Sequence, residues 1–74
     1  MVISGVVQAI IFRSEDSGYT VMDLATEERS VTVVGCMPEI NEGSYLQITG
    51  KWVNNSKYGE QFQAETVDFS APVD

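Results

Sequence analysis

The stretch VISGVVQAIIF, residues 2–12, decides the fold class. It is rich in β-branched residues, which predicts a long β-strand. Ile3, Gly5 and Val7 share one parity, whereas Ile10 and Phe12 share the other. A change of parity near Gln8 is what a β-bulge produces, and Gly5 is a plausible point for a bend. A long, bent first strand that serves two neighbours is a device that closes small barrels.

Four further segments also have the pattern of strands, and polar turns separate them. The most regular alternation places Leu46, Ile48, Gly50 and Trp52 on one face of a strand. A second change of parity is predicted before Val67. The predicted strands cover residues 2–12, 19–25, 30–35, 45–53 and 60–69. The segments between them leave no room for a helix longer than one turn.

Five short strands without a substantial helix predict an all-β fold. A five-stranded Greek-key barrel of the oligonucleotide/oligosaccharide-binding (OB) type fits best, and an SH3-like barrel is the main alternative. The OB reading is favoured by the long first strand and by the position of the longest loop, between the third and fourth strands. The residues predicted to be mostly buried in its core are Ile3, Val7, Ile10, Val21, Val33, Leu46, Ile48, Trp52 and Phe62.

Composition excludes several classes of function. The 74 residues include one Cys and no His, which removes a classical structural zinc site and a Ser-His-Asp triad. No run has the G-x-x-x-x-G-K-[ST] pattern of a phosphate-binding loop, so the chain is not expected to hydrolyse ATP by that mechanism. The lone Cys36, predicted to be buried at a strand end, favours a reducing, cytoplasmic setting. No apolar run is long enough for a membrane span.

Several linked motifs resemble one family. Gly18-Tyr19-Thr20-Val21 and Gly43-x-x-Leu46-x-Ile48-x-Gly50-x-Trp52 are followed by Lys57-Tyr58-Gly59-x-Gln61-Phe62. Together they resemble the N-terminal OB domain of RecD-like helicases of the RecD/TraA family, from about Ile3 to Val67. Asn54-Asn55-Ser56 stands where the family often has a His, so no loop role that needs an imidazole is carried over.

The resemblance implies a parent ATP-dependent 5′-to-3′ DNA helicase that acts in DNA repair or recombination. Residues 1–69 would form an accessory OB domain, and residues 70–74 a linker or tail toward motor domains. ATP and magnesium would belong to that motor, with no cofactor or metal in the present chain. The implied partners are single-stranded DNA and the motor domains of the same parent chain.

Candidate DNA contacts are basic and aromatic residues. An aromatic–cation pair in the loop between the fourth and fifth strands is typical of base-stacking OB surfaces. Tyr19 and Trp52 are each weighed between packing and an exposed stacking role, and packing is favoured for both. The DNA-contact candidates are Lys57, Tyr58, Tyr45, Lys51 and Arg13.

The formal net charge of −7 limits how strongly such a surface attracts DNA. We expect the isolated domain to contact single-stranded DNA weakly or to dock on the motor. The alternative function is a protein-interaction module with no direct nucleic-acid contact.

Overall fold

The computed structural model describes residues 1–57 and 59–69. These residues contain no helix, and hence no candidate for a membrane-spanning helix. The predicted linker, residues 70–74, lies outside the described residues. The strands are β1 (Val2–Arg13), β2 (Tyr19–Ala25), β3 (Ser30–Cys36), β4 (Tyr45–Asn55) and β5 (Gly59–Phe69).

The five strands form a closed barrel in the order β1-β2-β3-β5-β4. β1 pairs antiparallel with both β2 and β4, and β4 pairs antiparallel with β5. β3 and β5 run parallel, where Val33 lies opposite Phe62. This topology confirms the predicted all-β, five-stranded OB-type barrel.

Bulges bend the two strands that were expected to bend. On β1, Val7 and Ala9 lie opposite consecutive residues of β2, so Gln8 is an extra residue. On β5, Glu65 is extra in the same way against β4. Both parity changes are therefore confirmed. A third irregularity, at Ile11, was not expected, and it leaves both Ile11 and Phe12 exposed.

The core lies inside the barrel and contains most of the predicted residues. Ile3, Ile10 and Trp52 pack against it while only partly buried. The prediction for Val21 is wrong: Thr20, Met22 and Leu24 supply the inner face of β2, so Val21 faces outward and is half-buried. The fully enclosed apolar side chains are Val7, Met22, Leu24, Val33, Leu46, Ile48 and Phe62.

Two further local predictions have opposite outcomes. Gly18 has a φ of 78°, as its turn position predicted. Cys36 is exposed rather than buried. The inner face of β3 is formed by Val31, Val33 and Gly35, so the next residue points outward.

Candidate nucleic-acid interface

A groove of about 460 Å³ crosses the outer surface of β2 and β3. We call it the β2–β3 groove. Its apolar lining comes from the end of β1 and from the outward positions of β2 and β3. The lining residues are Ile11, Phe12, Tyr19, Val21, Thr32, Val34, Asn55 and Gln61.

Two aromatic rings are available in this groove. Phe12 is 53% exposed and Tyr19 is 40% exposed. Phe12 lies opposite Val21 in the β1–β2 pairing, so the ring is held beside the outer face of β2. Exposed aromatic faces in a concave OB surface are suited to stacking with nucleobases.

The floor of the groove is well covered although it belongs to the outside of the barrel. Val34 is only 8% exposed and Gln61 only 9%. Val34 belongs to β3, and Gln61 lies on the adjacent strand β5. The groove is therefore a concave site and not a flat sheet surface.

Three polar side chains complete the lining. The Thr32 hydroxyl donates to Asp23 Oδ1 at 3.4 Å, which is a long hydrogen bond. The Asn55 Oδ1 accepts a hydrogen bond from the Lys57 backbone N–H at 2.8 Å. Gln61 makes no side-chain hydrogen bond to another described residue. Its amide is thus the group in the groove with unused hydrogen-bonding capacity toward the described chain.

The predicted aromatic–cation pair, Lys57 and Tyr58, stands in the sequence between the end of β4 and the start of β5. Lys57 is exposed there, close in sequence to the groove residue Asn55. Tyr58 lies outside the described residues. The DNA-contacting roles of Lys57 and Tyr58 therefore stay predictions.

Arg13, the third basic candidate, holds two parts of the chain together. Its Nη1 donates to Thr20 Oγ1 at 3.0 Å and to the Pro38 carbonyl oxygen at 3.1 Å. These bonds tie the end of β1 to the start of β2 and to the segment after β3. Arg13 as a whole residue is half-buried. The structure thus gives Arg13 a stabilising role in the fold.

Tyr45 and Lys51 lie on the outer face of β4 and do not line the β2–β3 groove. Tyr45 lies opposite Val6 of β1, and Lys51 lies opposite Gln63 of β5. β5 separates β4 from β3, and Gln63 itself lies opposite the groove residue Val34, so Lys51 is two strands from the floor of the groove. Six residues along one strand correspond to roughly 20 Å, so the two side chains do not form one contact site.

Trp52 lies near the β2–β3 turn. Its ring meets Phe62 edge to face at 5.1 Å between centroids, and the Arg29 guanidinium lies 5.3 Å from the ring centroid. Arg29 also pairs with Glu60 at 2.9 Å. Trp52 borders a different cavity, which Met1 also lines. The packing interpretation of Trp52 therefore agrees with these contacts.

Sequence reasoning did not select most of the groove. Phe12, Val34 and Gln61 were not among the candidates, and Tyr19 was weighed but assigned to packing. The missing signal is the bulge at Ile11, which turns Phe12 outward. The alternation of β3 does place Thr32 outward, but the groove itself needs the pairing of β3 with β5.

The chain was also compared with known protein families. The model of a family described as "ATP-dependent DNA helicase YrrC, OB-fold domain" matches residues 1–72. The match covers nearly the whole chain and is consistent with the resemblance to the OB domain of RecD-like helicases.

Proposed function

Because the chain belongs to the family of the OB-fold domain of the ATP-dependent DNA helicase YrrC, we propose that it is an accessory module of a DNA helicase. The β2–β3 groove contacts single-stranded DNA weakly, by stacking one or two bases on Phe12 and Tyr19. The observation that carries this proposal is the presence of two exposed aromatic rings in one concave OB surface.

Stacking has to supply most of the affinity. Base–aromatic stacking contributes about 1–3 kcal/mol per base. Among the described residues, none that lines the groove is basic. Electrostatic neutralisation of phosphates, on which non-specific binding usually depends, is correspondingly small. The isolated domain is therefore a weak binder, with an affinity in the high-micromolar to millimolar range.

The motor domains of a parent helicase raise this weak affinity. Once the motor domains hold the DNA strand, contact of that strand with the groove becomes intramolecular and has a high effective concentration. In this proposal ATP and magnesium act in the motor, where translocation is 5′ to 3′. The OB module guides the single strand and contributes no catalytic group.

A second candidate function is docking of this domain on another protein surface, such as the motor itself. The acidic net charge and the apolar lining of the groove favour it. A basic, partly apolar partner surface would complement both features. The experiment below separates the two functions.

The decisive experiment compares two tyrosines of similar exposure. Tyr19 is 40% exposed in the groove, and Tyr45 is 38% exposed on β4. The ¹⁵N-labelled chain is titrated with an oligothymidine of about eight nucleotides, within the usual site size of one OB fold. We expect Tyr19→Ala to raise the Kd about tenfold through loss of stacking, and Tyr45→Ala to leave it unchanged.

Changes in the backbone amide chemical shifts of the wild-type chain show where the oligonucleotide binds. Shifts at Val21, Val34 and Gln61 support binding in the groove. Tyr19→Phe retains the ring and is expected to bind like the wild-type chain. Fluorescence of Trp52 is a poor reporter, because that ring lies outside the groove. The absence of shifts at low salt would overturn the proposed DNA contact and favour docking.

A further inference from the structure

Gln61 is an unusual residue for the floor of an apolar groove. Its side chain is nine-tenths buried, with 9% exposure, and it makes no side-chain hydrogen bond to another described residue. No fully enclosed side-chain nitrogen or oxygen in the described part of the chain lacks a partner. The amide of Gln61 therefore has access to the space of the groove.

The other two polar side chains of the groove are already engaged. The Thr32 hydroxyl donates to Asp23, and the Asn55 Oδ1 accepts the backbone N–H of Lys57. The Gln61 amide makes no such bond within the described chain, so its donor and acceptor face the open space of the groove. A ligand that supplies both a donor and an acceptor can replace water at this amide.

From these features we infer that Gln61 hydrogen-bonds the Watson–Crick edge of a base that stacks in the β2–β3 groove. This inference rests on the proposed function. A carboxamide offers one acceptor oxygen and an NH₂ donor, side by side. Rotation of the amide by half a turn exchanges the two. Thymine offers O4 as an acceptor and N3–H as a donor, and the other three bases also offer a neighbouring pair.

Gln61 consequently selects unpaired bases without selecting a sequence. In a duplex the partner base occupies the Watson–Crick edge, so the donor–acceptor pair on that edge is not available to the amide. In a single strand every base meets the requirement in one of the two amide orientations. This property suits a module that follows a strand of any sequence.

The test uses two oligonucleotides of about eight residues, a usual site size for one OB fold. One is oligothymidine. In the other, difluorotoluene replaces each thymine; it has nearly the same shape and stacks, but it lacks the hydrogen-bonding edge. We expect the wild-type chain to bind oligothymidine about fivefold more tightly or better, as a bidentate contact predicts.

Gln61→Met is the matched variant, because Met has a similar length and no amide. We expect it to bind both oligonucleotides equally, with the affinity of the wild-type chain for the difluorotoluene strand. We also expect its melting temperature to be no lower than that of the wild-type chain. A lower melting temperature together with unchanged discrimination would assign the amide a purely structural role and overturn the inference.

The comparison of the two oligonucleotides on the wild-type chain tests the inference even if the variant does not fold. Equal affinity for the two oligonucleotides, together with changes in the backbone amide chemical shifts of groove residues, would overturn the role of Gln61. It would leave the stacking proposal intact. No shifts with either oligonucleotide would overturn the proposed function and this inference together. Tighter binding of oligothymidine supports both.

Discussion

At the scale of single residues, Ile48 provides the clearest test of the core. Its side chain is fully buried on the inner face of β4. We expect Ile48→Ala to lower the free energy of unfolding by about 2–5 kcal/mol, through lost burial and the cavity left behind. The measurement is urea denaturation followed by circular dichroism.

The neighbouring Gln47 provides the control for this substitution. It is exposed on the opposite face of the same strand. Gln47→Ala is expected to change the free energy of unfolding by no more than about 0.5 kcal/mol. Equal stability of the Ile48→Ala variant and the wild-type chain would contradict the assignment of the inner face of β4.

Residue-level prediction succeeded where only one face of a strand is apolar. The apolar positions of β4 alternate with polar ones, so its inner face was clear from the sequence. β2 has apolar residues on both faces, and Val21 was consequently assigned to the core in error. The choice between Val21 and Met22 depends on the register with β1, which a single sequence does not specify.

The same limit applies to the candidate site. Arg13 was selected for its charge, but its hydrogen bonds to Thr20 and Pro38 appear only once the end of β1 meets the segment after β3. Gln61 carries no charge, and its place in the Lys57-Tyr58-Gly59-x-Gln61-Phe62 motif does not by itself indicate a groove. Its position in the groove follows from the parallel contact of β3 with β5, which is a long-range feature.

At the scale of elements, β1 is the strand on which closure depends. Val6 lies opposite Tyr45 of β4 and also opposite Ala25 of β2, so this is where β1 pairs with both neighbours. The bulge at Gln8 follows directly. Its parity change was visible in the sequence because an apolar pattern precedes and follows it. The irregularity at Ile11 was not visible, because both Ile11 and Phe12 are apolar.

Gly5 permits a close approach of β1 to the end of β2. A Cβ added there would lie 2.2 Å from the carbonyl oxygen of Ala25. That neighbour is backbone and has little freedom to move. We expect Gly5→Ala to destabilise the barrel by about 1–3 kcal/mol or more, as overpacking does.

Thermal denaturation measures this effect, with the adjacent Ser4→Ala as control, because Ser4 is exposed on the same strand. A loss of cooperativity in the Gly5→Ala variant would further indicate that β1 no longer pairs with both neighbours. An unchanged melting temperature would contradict the close approach of β1 to Ala25.

At the scale of the whole molecule, the positions of the four basic side chains decide how the domain meets DNA. Arg13 is held by hydrogen bonds within the fold, and Arg29 is paired with Glu60. Lys51 lies opposite Gln63 of β5, which lies opposite the groove residue Val34, so Lys51 is two strands from the floor of the groove. Lys57 is in the loop next to the groove. By position, Lys57 and Lys51 are therefore the side chains that can add one or two positive charges near a strand bound in the groove.

This distribution predicts a shallow salt dependence. For single strands, log K changes with log[salt] by about −0.7 for each phosphate neutralised, so one or two phosphates give a slope of about −0.7 to −1.4. We expect that slope for oligothymidine binding, measured by amide-shift titrations over a series of salt concentrations. Lys57→Ala should reduce its magnitude by about 0.7, and Lys51→Ala should reduce it by less, because Lys51 lies two strands from the floor of the groove. A slope near −3 would mean about four neutralised phosphates, which two lysines near the groove do not provide, and binding would then have to use another surface.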